Sequence, residues 1–408
     1  MVLLLSSTDV DKVVSTLTPD DLVSLMAQVF SHLSQSTSES PTNPTSSLSS
    51  SSGIVLPHRL SVPTINHTAL FMPSRITPFG TAMKVVSVPK ASAPEDIKAR
   101  GLPASTLILD EETGEVGAIV NAGKLTALRN AAGSVLSAML LIPEGSLLQT
   151  LTTIGAGTQI SAHINLFLQA YPSIKSCNII NRTLNSRLTT LLGSLRSMYP
   201  RIDFRGLKLP QGDGEGGRGV EEGDREAFRR AVWDADVIVT ATSSREALFP
   251  SQYVSPGTHL CLIGSYTPEM SVLSPSSPDG TGIHSRFTFA TLNTFPSSPS
   301  DDSLTHKLHP DIALITQKEA GELIASNIPD TSLYELGALI QPTTNQVSSP
   351  PSSSSFAWSP SQTPISEIHS SGDITIFKSV GVSLQDVAIA SLVVQRAQEK
   401  GLGTSVVL

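Results

Sequence analysis

The segment QTLTTIGAGTQISAHINLFLQAY, residues 149–171, constrains the fold more than any other stretch of the chain. An apolar run enters a glycine turn at Gly155-Ala156-Gly157, and the residues that follow place Ile160, Ile164 and Leu168 on one face of a helix. The first glycine permits the tight turn. The second lets a pyrophosphate approach the main chain, and the helix start at Thr158 and Gln159 offers N–H donors and a partial positive charge. A second strand, KSCNII at 175–180, follows about twenty residues on, which is the spacing of a dinucleotide-binding βαβ unit. The plainer reading is that Gly155 and Gly157 only make a turn. The third small position of the fingerprint is filled by Ile160, which predicts looser packing of the helix on the sheet.

The end of the second strand chooses the cofactor. It reads Asn181-Arg182-Thr183, with no carboxylate to accept ribose hydroxyls and repel a 2′-phosphate. An arginine and a hydroxyl stand there instead. That favours NADP(H), with NAD(H) open if Arg182 is only a solvated loop charge.

The alternation continues with helices at 184–199 and 224–235 and strands at 236–243 (DVIVTATS) and 258–266 (THLCLIGSY). Strands alternating with helices predict an α/β class with a parallel sheet covered on both faces, here a Rossmann-type domain over 146–373. Residues 1–145 form a separate part, and the tail reads as a strand from 374, a turn at Gly381 and an amphipathic helix. A chain of 408 residues is long enough for such a division. Four polar stretches, 34–53, 210–224, 274–303 and 343–363, are rich in Ser, Pro or Gly, have little apolar surface and are expected to loop out of the compact body. The third is broken by an apolar RFTFATL.

The net charge of −8, without a block of Lys or Arg, argues against a nucleic-acid partner. The two cysteines, Cys177 and Cys261, sit far apart in apolar runs, in no metal-ligand spacing, and suggest a reducing compartment and no metal. The opening MVLLLSSTDVDKVV is too short in apolar residues for a signal core or a membrane span, so no membrane role and a cytoplasmic location are expected.

One more segment asks for an explanation. GKLTALRNAAGSVLSAMLL, 123–141, has the composition of a buried helix, yet Arg129 lies in it, with Thr126 one turn before. A buried guanidinium is costly unless paired. Its partner is either an internal acid or a bound anion.

These segments occur in a definite order: LFMPSR and MKVVSVP, then LTALRNAA, TIGAGTQ, ADVIVTATSS, PGTHLCLIGSYTPEM and ITIFKSVGVSLQDVAIASL. Together they resemble the ornithine cyclodeaminase/mu-crystallin family over most of the chain outside the polar stretches. The resemblance implies a Rossmann-type NAD(P)-binding domain over 146–373 and an α+β substrate-binding and dimerisation domain built from the N-terminal part, 1–145, and the tail 374–408 with its C-terminal helix, which returns to it. It also implies hydride transfer between a nicotinamide cofactor and the carbon of a C–N bond next to a carboxylate, in a homodimer acting on a small imino or amino acid. By the same resemblance Arg59, Lys84 and Arg129, with Thr126 beside it, hold the substrate carboxylate, Lys84 polarises the imine, and Met72 shapes the pocket floor. Thr240, Thr242 and Ser243 lie where the ribose and nicotinamide belong, and Ser379, Val380 and Gly381 match the loop that closes over the nicotinamide. On this reading the partner of Arg129 is the substrate, through a bidentate fork. Taken without the resemblance, Arg59 and Lys84 are ordinary surface charges.

Two departures matter. Cyclodeaminases of the family carry an aspartate after the strand that ends at Gly264, and the matching residue here is Tyr266, a poor base at neutral pH that is left as a possible proton donor. The glutamate expected shortly after is missing from Ser271-Val272-Leu273, with Glu269 out of register. Mu-crystallin-like ketimine reductases also lack the aspartate. The expected activity is therefore NAD(P)H-dependent reduction of imino acids such as pyrroline-2-carboxylate and piperideine-2-carboxylate. The alternatives are ornithine or lysine cyclodeamination with release of ammonia, and a non-enzymatic NADP(H)- or small-molecule-binding protein.

Overall fold

A computed structural model of the chain describes residues 1–36, 53–210, 222–242, 244, 247–264, 287–291, 333–343, 356–379 and 381–407. Two eight-stranded sheets organise them.

The first sheet is mostly antiparallel. Strands His67–Ile76, Gly80–Pro89, Ala104–Leu109 and Val116–Asn121 follow one another across it. Strand Val2–Leu5 joins parallel to Val116–Asn121 and carries Thr404–Val406 on its far side. Along Gly80–Pro89, Ala82, Lys84 and Val86 are buried while Thr81, Met83 and Val85 are half-buried. That period of two means one covered face and one open face. Helix Ser383–Glu399 lies across the covered face, backed by helices Leu125–Leu141 and Pro19–Ser36. Lys84 is thus a charged residue on the covered face of a sheet.

The second sheet is wholly parallel. From one edge its strands are Asp203–Lys208, Ser176–Asn181, Thr150–Ile154, Val237–Thr242, His259–Gly264, Ile374–Ser379, Phe287–Thr291 and Leu333–Glu335. Chain order reverses between Thr150–Ile154 and Val237–Thr242, and in open α/β sheets ligands bind at such a switch point, beyond the carboxyl ends of the strands. The helices Thr158–Ala170, Ser186–Met198 and Glu222–Trp233 alternate with the strands as expected.

Three sequence expectations need correction. Strand Ile374–Ser379 belongs to the parallel sheet, paired with His259–Gly264, so the tail returns to the first sheet only from helix Ser383–Glu399 onward, later than 374. All six of its residues are buried, the mark of an interior parallel strand. The apolar break in 274–303 is also a strand of this sheet, at Phe287–Thr291, because it pairs with Ile374–Ser379. The stretch 343–363 ends earlier than expected, since Trp358–Pro360 pairs with Ile340–Pro342 and a helix starts at Gln362. The rest of the polar stretches lies almost wholly outside the described residues.

Helix Leu125–Leu141 packs on the parallel sheet, meets the first sheet where Lys84 reaches Thr126, and is buried nearly all round. Its face toward the parallel sheet carries serines. His163 Nδ1 is 2.7 Å from the Gln159 carbonyl, which only accepts, so Nε2 accepts from the Ser134 hydroxyl at 3.0 Å. Ser137 donates to the Ser134 carbonyl at 2.8 Å, which makes His259 Nε2 the donor to Ser137 at 2.9 Å and leaves its Nδ1 to accept from Thr375 at 2.8 Å. Both imidazoles are neutral. Burial pulls His163 down to a pKa of about 4 and His259 to about 3.

Candidate active site

Three elements deliver three charges to one place. Lys84 comes from strand Gly80–Pro89, Arg129 from the second turn of helix Leu125–Leu141, and Asp386 from the first turn of helix Ser383–Glu399. Their exposures are 3%, 4% and 3%, so all three are out of bulk water. Asp386 Oδ1 lies 2.9 Å from Lys84 Nζ and 3.3 Å from Arg129 Nε. Lys84 Nζ also donates to Thr126 Oγ1 at 2.6 Å. Asp386 Oδ2 has no hydrogen-bond partner among the described residues.

Burial alone would raise the Asp386 carboxyl, but Arg129 and Lys84 overrule it and hold it below the usual carboxylate range. Burial pulls the Lys84 ammonium down; Asp386 opposes that and Arg129 adds to it. Two cations share one anion, so the charged trio carries a surplus positive charge in a dry place. Such a surplus is unfavourable until an anion arrives.

The Arg129 guanidinium is held on its other side too. Nη1 donates to Asn130 Oδ1 and, at 2.8 Å, to Gln385 Oε1. Asn130 in turn donates to Gln159 Oε1 at 3.2 Å, which ties the arginine to the first turn of helix Thr158–Ala170. Gly381 lies against the guanidinium. A Cβ there would strike Nη1 and stand 2.9 Å from Nη2, and its φ of +82° is in the left-handed region. Beside this cluster is a pocket whose lining includes Arg59, Met72, Gly381 and Ser383. Met72 is the cross-strand partner of Lys84, so the pocket abuts the ion cluster.

At the switch point Gly155 has φ +117°, and a Cβ on it would lie 2.9 Å from the Ala241 carbonyl oxygen. No larger residue fits between the two strands. A Cβ on Gly157 would meet nothing within 4 Å, so the main chain there is open to an approaching group. Gly157 caps the helix without a side-chain hydrogen bond, leaving first-turn N–H groups to an anion. Thr240, on the neighbouring strand, is fully buried, and its hydroxyl has no partner among the described residues. A glycine cradle, an uncapped helix start and an orphaned hydroxyl at a switch point fit a dinucleotide.

Comparison with known proteins agrees with this geometry. The profile described as "Ornithine cyclodeaminase/mu-crystallin family" matches residues 52–192 and 224–277. The chain belongs to this family. A cyclodeaminase of Dictyostelium discoideum, itself uncharacterized, is 24% identical over 348 residues, 82% of this chain and 81% of its own. The ketimine reductase mu-crystallin of Mus musculus is 30% identical over 166 residues, 41% of this chain and 44% of its own. Among solved structures, the Thermococcus litoralis Δ1-pyrroline-2-carboxylate reductase in complex with NADH and L-proline superposes with a TM-score of 0.67 at 19% identity, covering 99% of this chain and 100% of that one. The fold of this chain is therefore that of NAD-binding family structures.

Within this family member the residues singled out from sequence fall as follows. Lys84, Thr126 and Arg129 meet in the ion cluster, and Arg59 and Met72 line the adjoining pocket. Gly155, Ala156, Gly157, Thr158 and Gln159 form the glycine turn and helix start. Asn181 ends its strand and donates to the Thr183 carbonyl at 2.9 Å, while Arg182 and Thr183 are exposed beyond it. Thr242 accepts from the Ser244 N–H at 3.3 Å, and Ser379 is buried at the end of its strand. Tyr266, Ser243 and Val380 lie outside the described residues, as do Glu269 and the triplet at 271–273.

Two expectations change. The sequence reading gives Arg129 the substrate in place of an internal acid, and the internal acid is there: Asp386 takes Nε. Ile160 does not loosen the helix. It is fully buried, with Cγ1 3.2 Å from the point a Gly155 Cβ would occupy, so it packs directly over the turn. Asp386, Gln385 and Asn130 were missed. A signal for Asp386 was present: it is the single acid between Ser383 and Gln398, set among Leu384, Val387 and Ile389, the same kind of anomaly that draws attention to Arg129.

Proposed function

We propose that this protein reduces α-imino acids with a nicotinamide cofactor, on ring imines of the pyrroline-2-carboxylate and piperideine-2-carboxylate type. The observation that carries the reading is the surplus positive charge of Lys84, Arg129 and Asp386 beside a pocket and one hydrogen-bond relay away from the glycine turn. A carboxylate is an anion that a lysine and a guanidinium in a dry site hold well, the guanidinium through a bidentate fork. Lys84 and Arg129 would bind it, with Arg59 at the pocket mouth. Gly381 would keep the loop after strand Ile374–Ser379 low enough to close on the bound ring. The bound nicotinamide supplies the hydride. The names of relatives support this class: ketimine reductase, pyrroline-2-carboxylate reductase and iminosuccinate reductase.

NADP(H) is the preferred cofactor on this reading. The exposed Arg182 stands just past the second strand, where Asn181 replaces the acid that would repel a 2′-phosphate. The protein works as a homodimer. On the open face of the first sheet Phe71, Pro73, Met83, Val85, Leu107 and Ile119 stand side by side, by the register of their strands, with Ser105 and Asn121 at the edge of the group. Such a patch marks an interaction surface.

The test is oxidation of NADPH, with NADH in parallel, by purified protein given pyrroline-2-carboxylate or piperideine-2-carboxylate. Rapid oxidation with NADPH preferred, and the preference lost in Arg182→Ala, is the expected result. Ammonia released from ornithine with NAD would instead make the protein a cyclodeaminase. Cofactor binding with no turnover of either kind would make it a binding protein.

A further inference from the structure

We propose that Asp386 Oδ2 is the contact for the substrate nitrogen, which selects the protonated, iminium form of an α-imino acid and the matching α-amino acid; the inference rests on the reductase reading above.

A carboxylate oxygen in this position has few explanations. Asp386 is buried, and its Oδ1 is already shared by Lys84 and Arg129, at 2.9 and 3.3 Å. Had the carboxylate served only to neutralise the two cations, the economical arrangement would give each cation its own oxygen. Instead both crowd one oxygen, and Oδ2 is left in a dry interior without a partner among the described residues. An unsatisfied buried acceptor of this kind destabilises the fold unless a ligand completes it.

The pocket supplies the ligand's position. Three of its lining residues are neighbours of the ion cluster. Ser383 lines it one turn before Asp386 on the same helix, Met72 lines it beside Lys84 in the sheet, and Gly381 lines it against the Arg129 guanidinium. A substrate carboxylate on Lys84 and Arg129 fixes the carbon attached to it. In an α-imino acid the nitrogen is bonded to that carbon, so it lies within a few ångström of the same cluster. Among the described residues Asp386 is the acid there. A carboxylate oxygen accepts an N–H from an iminium and has nothing to offer a bare imine lone pair.

The charge balance is simple. Beside the carboxylate an imine nitrogen holds its proton more firmly, which raises the population of the electrophilic iminium. When hydride reaches the imine carbon, a C–H bond forms and the C=N π pair moves to nitrogen, which loses its positive charge and keeps its hydrogen. The product amine then takes a proton from water. Asp386 gains and loses none.

Binding, measured apart from turnover, tests this. The full-length protein saturated with NADPH is titrated calorimetrically with L-proline, and separately with cyclopentanecarboxylate, which has the same ring and carboxylate without nitrogen. With reduced cofactor neither probe can react. The proposal expects proline to bind about tenfold or more tighter, the size of one hydrogen bond to a charged group. In Asp386→Asn that advantage disappears, while cyclopentanecarboxylate binds at least as well as before. Equal affinity of the two probes for the wild-type protein overturns the proposal and leaves the carboxylate clamp standing. An unchanged ratio in a folded Asp386→Asn also overturns it, because an acid that only neutralises Lys84 and Arg129 affects both probes alike. If the variant does not fold, the wild-type ratio decides. Binding of neither probe removes the reductase reading itself and this inference with it.

Discussion

At the scale of single residues, the site depends on contacts that tolerate no extra atom. Gly381 is the sharpest case. Its φ is +82°, and a side chain there would strike the Arg129 guanidinium. Gly381→Ala should displace the guanidinium, leave the fold intact and lower kcat/KM for the imino acid by about tenfold or more, because misplacing a binding group by even an ångström is costly in rate. Circular dichroism checks the fold and steady-state kinetics check the rate; normal turnover would separate the loop from the arginine. The sequence showed that Arg129 required a partner, because a charge in an apolar helix is conspicuous. It did not show that Gly381 and Asp386 lie within reach, because that depends on how the tail helix crosses the sheet. Asp386 is legible only if the rule applied to Arg129 is applied to every buried helix.

At the scale of elements, helix Leu125–Leu141 is the joint between the sheets, and its seam is sensitive to acid. His163 and His259 titrate near 6.5 when unfolded and at about 4 and about 3 in the fold. The unfolded chain therefore binds protons first. The stability that depends on neutral imidazoles is fully present above about 6.5 and is lost as pH falls from there toward 3–4, by roughly 3–5 kcal/mol per histidine over the whole window. Urea denaturation at pH 7 and pH 5 should show the midpoint falling at the lower pH, and His259→Gln should flatten the slope. A midpoint that does not move would mean water reaches the seam. Elements of this kind were unevenly visible in the sequence. The glycine-turn strand, its helix and the strands at 175–180 and 258–266 follow from periodicity. Strand Asp203–Lys208 is polar along much of its length and sits at the sheet edge, so its pattern carries little signal. Strand Ile374–Ser379 was seen but assigned to the wrong sheet, since an all-apolar run says that both faces are covered and not by what.

At the scale of the whole molecule, the architecture puts the Lys84–Arg129–Asp386 cluster and the glycine turn on either side of one helix, joined through Asn130 and Gln159. The open apolar face of the first sheet is the remaining large-scale feature. Analytical ultracentrifugation should give twice the chain mass, and Met83→Lys with Val85→Lys should give a monomer; a wild-type monomer would leave that face for another partner. The account as a whole rests on one statement, that the buried cations are there for the carboxylate of an imine substrate. The most direct measurement compares reduction of pyrroline-2-carboxylate with reduction of 1-pyrroline, the same ring without the carboxylate, by the wild-type protein and by Arg129→Ala. Lys84 still partners Asp386 in that variant, so the fold should survive. The account predicts that the wild-type protein prefers the carboxylated ring by about 100-fold or more, and that Arg129→Ala loses most of that preference, since truncating one partner of a buried charge pair costs about 2–5 kcal/mol. Equal rates on the two rings, or a preference that survives in Arg129→Ala, would contradict it.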